Sequence, residues 1–179
     1  MIQALTLALL LAAPGEGRPA LIDGIAAIVD DALIFRSEVS ARARPQLAQN
    51  AAAGPAEREA LQRESLAVMI EEALIAADAA RLHIVVTEAE LAGALAMVRT
   101  MNGLDSAGLE AQIRQMGMSY DEYEAQLRSY ILEQKWLISR TEAIDPYLFP
   151  DEASHTAAYA AQRRILVEAL RSRAFIEVR

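Results

Sequence analysis

Cysteine is absent from this sequence of 179 residues, and lysine occurs once, at Lys135. Without thiols the chain can form neither disulfide bonds nor thiolate metal sites. The 17 basic residues are outnumbered by 25 acidic ones, so the net charge is −8. A nucleic-acid-binding protein needs a positive surface that displaces counterions from phosphates. The charge balance therefore excludes that class of protein.

Aromatic residues make up only 5% of the chain, although apolar residues make up 54%. Alanine and leucine, which are abundant here, lose little side-chain freedom when they enter a helix. The length suits one compact domain. We therefore expect a mostly α-helical domain with a core of small aliphatic contacts.

Motifs that carry chemistry are also missing. The only histidines are His83 and His155, and neither has another metal ligand at a recognised spacing. The sequence contains no glycine-rich phosphate loop, no nucleophile elbow and no zinc-protease motif. We therefore predict no catalytic residues, no metal site and no cofactor, and we expect that the protein is not an enzyme.

The N-terminus contains the one long apolar run, Ala4 to Ala13, which Pro14 ends. Ten residues are too few to span a bilayer but suit the core of a signal peptide. We predict a signal peptide over residues 1–20, with cleavage at about 17–20 and Gly17 as the preferred site. This interpretation predicts export to the periplasm and no membrane span after the signal is removed.

Strand patterns occur near both ends of the remaining chain. Ile25–Val29 and Ala32–Phe35 flank Asp30-Asp31, and aspartate tolerates the left-handed backbone of tight hairpin turns. A lone hairpin is marginal in water, so it needs a third strand or a helix. Ala174–Val178 is the predicted third strand, with Ile176 and Val178 buried beside the hairpin.

Helix signals fill the region between these strands. Ser37 is predicted to cap a short helix that Pro45 should kink or end, and Gly54-Pro55 opens a longer one. Capping boxes, in which a hydroxyl and a carboxylate satisfy the first free N–H groups, are predicted at Thr87/Glu90 and Ser119/Glu122. The remaining signals are Asn102-Gly103 as a left-handed helix end, a helix start at Ser106, and a final helix from about Asp151.

Together these signals predict a helical bundle of about six helices with a small antiparallel sheet, formed by the N-terminal hairpin and the C-terminal strand. The main module is expected over residues 21–142. A short linker at 143–150 contains Pro146 and Pro150, and residues 151–179 return to the same module as a helix and a strand.

Two segments resemble the SurA-type periplasmic chaperone family. Residues 22–38, from Ile22-Asp23-Gly24 through the hairpin to Ser37-Glu38, are similar to that family's opening hairpin and first helix. Gly117-Met118-Ser119-Tyr120-Asp121-Glu122-Tyr123 is similar to the start of its long helix. Ala32 departs from the family pattern, which has glycine in the turn. The resemblance implies the family's chaperone module, a SurA N-terminal-like domain over residues 21–142.

Members of this family carry parvulin-type isomerase domains between the long helix and the C-terminal helix. Here the corresponding gap, from about Glu142 to Asp151, is some ten residues, which cannot hold such a domain. The resemblance therefore implies a holdase that binds unfolded outer-membrane or secreted proteins, without isomerase activity. The alternatives are an assembly module that binds one defined envelope protein and, less favoured, a peptidyl-prolyl isomerase.

Methionines and tyrosines around the middle helices are the candidate client-binding residues. Methionine adapts to varied partners, and tyrosine supplies contact area at low entropic cost. Helical spacing also places Met101 on an inward stripe with Leu91, Leu95 and Val98. The candidate methionines and tyrosines could therefore fill the core instead. The candidates are Met97, Met101, Met118, Tyr120, Tyr123 and Tyr130.

Overall fold

A computed structural model describes residues 23–50, 52–141 and 152–179. The predicted signal peptide at 1–20 and the linker at 143–150 lie outside the described residues. Strands and helices follow in the order predicted from the sequence. They are β1 (Ile25–Val29), β2 (Ala32–Phe35), α1 (Arg36–Gln49), α2 (Pro55–Arg81), α3 (Glu88–Asn102), α4 (Ser106–Gln115), α5 (Tyr120–Arg140), α6 (Glu152–Arg171) and β3 (Ile176–Val178).

The three strands form one antiparallel sheet, as predicted, and their order is β2-β1-β3. Asp30 occupies the hairpin turn with a φ of 50°, the left-handed conformation that aspartate tolerates. Phe175 and Asp30 hold β3 to this turn, because each backbone N–H donates to the other residue, at 2.8 Å in both cases. Val178 lies opposite Ala27, but it is 60% exposed, so the expectation that it is buried was wrong.

Helix α1 starts earlier than predicted. Phe35, not Ser37, precedes its first turn, and the carboxylate of Glu38 accepts a hydrogen bond from the Phe35 N–H at 2.8 Å. The Ser37 hydroxyl instead donates to the carboxylate of Asp23. Pro45 does not end the helix, which continues to Gln49. The cost of one missing backbone hydrogen bond is offset by the packing of α1 on α2 and by contacts such as the Arg42–Glu72 ion pair.

The larger core lies where the sheet, α2, α6 and the C-terminal half of α5 meet. Trp136 of α5 is completely buried there, and its indole N–H donates to the buried carboxylate of Asp78 on α2 at 2.8 Å. Arg163 of α6 joins three helices at the edge of this core, since its guanidinium contacts Glu71 of α2 and Glu133 of α5. The larger core comprises Ala26, Ala27, Val29, Ile34, Val39, Ile70, Leu74, Ile75, Ala79, Trp136, Leu137, Val167 and Leu170.

A second, smaller core forms where α3, α4 and the N-terminal half of α5 pack together. Its buried members are Leu91, Leu95, Leu109, Ile113 and Met118. Helix α5 belongs to both cores, because Tyr123, Leu127 and Ile131 line the smaller one while Leu132 and Trp136 face the larger one. One continuous helix therefore connects the sheet-containing body to a small three-helix unit.

Candidate client-binding surface

The three-helix unit is positioned by local signals that the sequence already contained. Thr87 with Glu90 and Ser119 with Glu122 form the two predicted capping boxes at the starts of α3 and α5. Gly103 ends α3 at a φ of 63°, a left-handed conformation that glycine adopts without steric cost. These signals set where α3 ends and where α3 and α5 begin.

The capping carboxylates are held in their charged form. Hydrogen bonds from the Ser119 backbone and hydroxyl, together with Arg44, lower the pKa of Glu122 below its usual value. The pKa of Glu90 falls to about 2, chiefly because of the hydrogen bond from Lys135 and then those from Thr87. Both helix starts therefore keep their capping charge throughout the neutral range.

Four of the six predicted client-binding residues are exposed. Met97 and Met101 are separated by one helical turn on α3 and are 64% and 79% exposed. The expectation that Met101 lies on the inward stripe of α3 was therefore wrong, because Leu91, Leu95 and Val98 fill that core. Tyr130 of α5 is 62% exposed and Tyr120 is 38% exposed.

The other two candidates lie in or against the smaller core. Met118 is one of its buried members, and Tyr123 is half-buried against it. Met97 and Met101 on α3 and Tyr120 and Tyr130 on α5 are therefore the candidates that remain accessible from solvent. We refer to these four residues as the methionine–tyrosine surface.

Tyr120 is the first residue of α5 and is 38% exposed. Partial burial raises the pKa of its hydroxyl, and the charge of Glu124 adds to this effect. The charges of Arg99 on α3 and Glu110 on α4 also act on this hydroxyl.

Polar contacts lock this unit to the body of the protein. Arg44 of α1 donates to the carbonyl of Gly117 at 3.1 Å, in the turn between α4 and α5. Lys135 donates to the carbonyl of Val85 and to Glu90, both at 2.6 Å. Arg128 donates to the carbonyl of Val86 at 3.2 Å. These contacts join the turn before α5 to α1, and the segment before α3 to α5.

The sequence did not predict a cavity of about 910 Å³ beside the hairpin turn. It lies between the turn, the C-terminal half of α2 and the α6–β3 connection. Ala73, Ala76 and Ala77 of α2 line it together with Phe175, which is 59% exposed. Alanines on the side of α2 that faces the hairpin are the signal that could have indicated it, since small side chains leave such space.

The described residues offer no arrangement for catalysis by a metal. Across residues 23–50, 52–141 and 152–179, no three histidine, aspartate or glutamate side chains converge to hold a metal ion. Asp78 is the one carboxylate buried in this part of the chain, and its oxygens are fully engaged by Trp136, Arg81 and Arg140. None of the described helices is long and apolar enough to cross a membrane.

Comparison with known proteins places this fold in a family of chaperone modules. Residues 22–136 match the SurA N-terminal domain family, and the chain belongs to that family. It is 31% identical to the protein named Chaperone SurA of Bordetella avium strain 197N over 152 residues, which cover 83% of this chain and 29% of that protein. The proteins of the same name from Bordetella pertussis and Bordetella bronchiseptica are also 31% identical, over 79% of this chain and 29% of theirs. The chain thus spans less than a third of the length of these relatives.

Proposed function

We propose that this chain is an exported periplasmic chaperone that holds unfolded or partly folded outer-membrane or secreted proteins through the methionine–tyrosine surface. The observation that carries the proposal is the exposure of Met97, Met101 and Tyr130, each more than 60% exposed on a unit with its own buried core. Flexible thioethers and rigid rings suit apolar contact with clients of varied sequence. Membership of the SurA N-terminal domain family and the name of the relatives support the same function.

Replacing the three most exposed members tests this surface. We expect Met97→Ser/Met101→Ser/Tyr130→Ser to abolish most suppression of client aggregation while shifting the free energy of unfolding by less than about 1 kcal/mol, since exposed side chains bury little on folding. Light scattering of several unrelated, chemically unfolded clients measures suppression, and thermal unfolding measures stability. Val68→Ser/Ile165→Ser is the matched control, because both side chains are also exposed, on α2 and α6.

Two outcomes would contradict this proposal. Full suppression by the triple variant would place the client site elsewhere, for example at the cavity beside the hairpin turn. Suppression of only one client among many would favour the alternative, an assembly module for one defined partner. Added salt is expected to have little effect on binding at the methionine–tyrosine surface, because screening acts on charges rather than on apolar contacts.

The proposed mechanism involves binding and release only, without isomerase activity. Support comes from the short connection of residues 141–151 between α5 and α6, where the chaperones that this chain resembles carry isomerase domains. In a proline tetrapeptide assay the rate of cis–trans isomerisation should equal the uncatalysed rate, with a characterised isomerase as the positive control. A faster rate that a substitution in this chain removes would disprove the proposal. Fractionation of cells with mass spectrometry of the N-terminus tests the proposed export.

A further inference from the structure

An arginine-lined pocket lies on the sheet-containing body. Its volume is about 500 Å³, and it is formed by β1, the start of α1, the N-terminal half of α2 and the residue after β3. The floor is apolar, because Ala26 and Val39 belong to the larger core and Leu66 packs against it. The charged side chains of its lining are Arg36, Arg63, Arg179 and Glu59. The lining thus includes three arginines, of which Arg63 pairs with Glu59 and Arg179 with Glu177, in a protein whose net charge is −8.

Arg36 lies at a position where its positive charge does not stabilise the fold. It is the first residue of α1, at the positive end of the helix dipole, where cations are destabilising. Among the described residues its guanidinium has no hydrogen-bond or ion-pair partner. Gly24 leaves room for its stem, since a Cβ at that position would lie 3.1 Å from the Arg36 Cδ. The charge of Arg36 is therefore available to a group that enters the pocket.

The other two arginines are only partly neutralised. Arg63 contacts Glu59 at 3.4 Å, and both side chains are about 70% exposed, so solvent screens this pair. Arg179 is held in place by its backbone N–H, which donates to the Ala26 carbonyl at 2.9 Å, and its side chain contacts Glu177. An incoming carboxylate can therefore bind without first breaking a buried ion pair.

We propose that this pocket binds an acidic, partly apolar peptide segment of a client, with the carboxylate on the arginines and a neighbouring apolar side chain on the floor. Guanidinium groups match carboxylates in a two-point geometry. The exposed amide of Gln62, which has no hydrogen-bond partner among the described residues, can both donate to and accept from a peptide backbone. This inference rests on the proposed function, because it assumes that the chain binds unfolded polypeptides.

The test is binding of two fluorescent peptides of identical length, Leu-Phe-Asp-Glu-Leu and its uncharged counterpart Leu-Phe-Asn-Gln-Leu, to the purified chain. The acidic peptide is expected to bind more tightly at low salt and to lose this advantage at roughly 0.3 M salt, where charges are screened within a few ångströms. Arg36→Gln/Arg63→Gln should weaken its binding about 10-fold, the effect of losing a charge-assisted hydrogen bond. Binding of the uncharged peptide should not change.

Arg114→Gln is the matched control for the arginine substitutions. Arg114 makes the same i,i+4 contact with Glu110 on α4 that Arg63 makes with Glu59, and it is equally exposed at 69%. The control variant should bind both peptides like the unmodified protein. Gln62→Glu is the second variant, because it adds a negative charge to the pocket without removing an arginine, and it should also weaken only the acidic peptide.

Several outcomes would overturn the inference. These are equal binding of the two peptides, equal effects of the pocket and Arg114 substitutions, or binding to phosphatidylglycerol vesicles with no binding of the acidic peptide. Failure of the acidic-peptide inference is distinguishable from failure of the proposed chaperone function. The Arg36→Gln/Arg63→Gln variant should still suppress aggregation of uncharged clients through the methionine–tyrosine surface, whereas that surface's triple variant should keep its preference for the acidic peptide.

Discussion

Replacing Asp78 with alanine is expected to lower the free energy of unfolding by about 1.5–3 kcal/mol, the usual cost of losing hydrogen bonds to a charged group and leaving a buried donor unsatisfied. The Asp78 side chain is almost completely buried on α2. Its carboxylate accepts hydrogen bonds from the indole of Trp136 at 2.8 Å and from the guanidinium of Arg140 at 2.9 Å, and it also pairs with Arg81. The substitution leaves the Trp136 N–H without a partner in the larger core.

Urea unfolding of the Asp78→Ala variant, compared with that of a Glu64→Ala control, measures this loss of stability. Glu64 is exposed on the same helix and has no described partner, so its replacement should change stability by no more than about 0.5 kcal/mol. An Asp78→Ala variant as stable as Glu64→Ala would show that the buried carboxylate and its partners make no net contribution to stability, which is the case for some buried ion pairs.

The effect of Asp78 should also depend on pH. Burial alone would raise the pKa of this carboxyl, but the hydrogen bonds from Trp136, Arg140 and Arg81 outweigh it, so the pKa lies below the ordinary value of 3.8. A carboxylate with a lowered pKa contributes its full stabilisation above its unfolded-state pKa and loses it as the pH falls through the folded-state pKa. The stability difference between the unmodified protein and Asp78→Ala should therefore be constant from neutral pH to about pH 5 and shrink below about pH 4.

Local chemistry explains why the order of elements could be predicted from the sequence. Asp30-Asp31, Gly54-Pro55, Thr87/Glu90 and Gly103 each act on the backbone within a few residues, and each lies at the predicted boundary. The prediction at Ser37 failed because a contact distant in sequence was stronger. Its hydroxyl binds Asp23, which lies before the hairpin, and the helix start is set by Phe35 and Glu38 instead.

Burial was harder to predict than secondary structure. A stripe of apolar residues on α3 is wider than the small core it faces, so Met101 lies outside although its spacing fits the stripe. Val178 is exposed for a similar reason, because β3 is an edge strand of a three-stranded sheet. Helical spacing indicates which face points inward, but the extent of burial depends on what packs opposite.

The division into two cores, and the arginine-lined pocket, could not be predicted from local patterns. Both depend on contacts between segments far apart in sequence, such as Arg44 with Gly117 and Arg179 with Ala26. Helix α5 reads as one continuous amphipathic helix, yet Tyr123 and Trp136 face different cores. The resemblance to SurA-type chaperones gave the family, but the exposed members of the methionine–tyrosine surface were distinguished only by the packing.

Replacing Ile113 with alanine is expected to loosen the three-helix unit while leaving the body folded. Ile113 of α4 is 1% exposed in the smaller core, and a large-to-small change at such a position costs about 2–5 kcal/mol. The smaller core has five buried members and no strand, so this loss is a large part of the energy that keeps α3 and α4 folded. Native-state hydrogen exchange should show lost protection for backbone amides of α3 and α4, with those of α2 and β1 little changed.

The matched control is Ile138→Ala, because Ile138 of α5 is 66% exposed and its truncation should leave exchange unchanged. Since Met97 and Met101 lie on the loosened helix, the Ile113→Ala variant should also suppress client aggregation less effectively. Uniform loss of protection across both cores would show that the molecule opens as one unit. In that case α5 couples the cores strongly, and the methionine–tyrosine surface is no more easily loosened than the body that carries it.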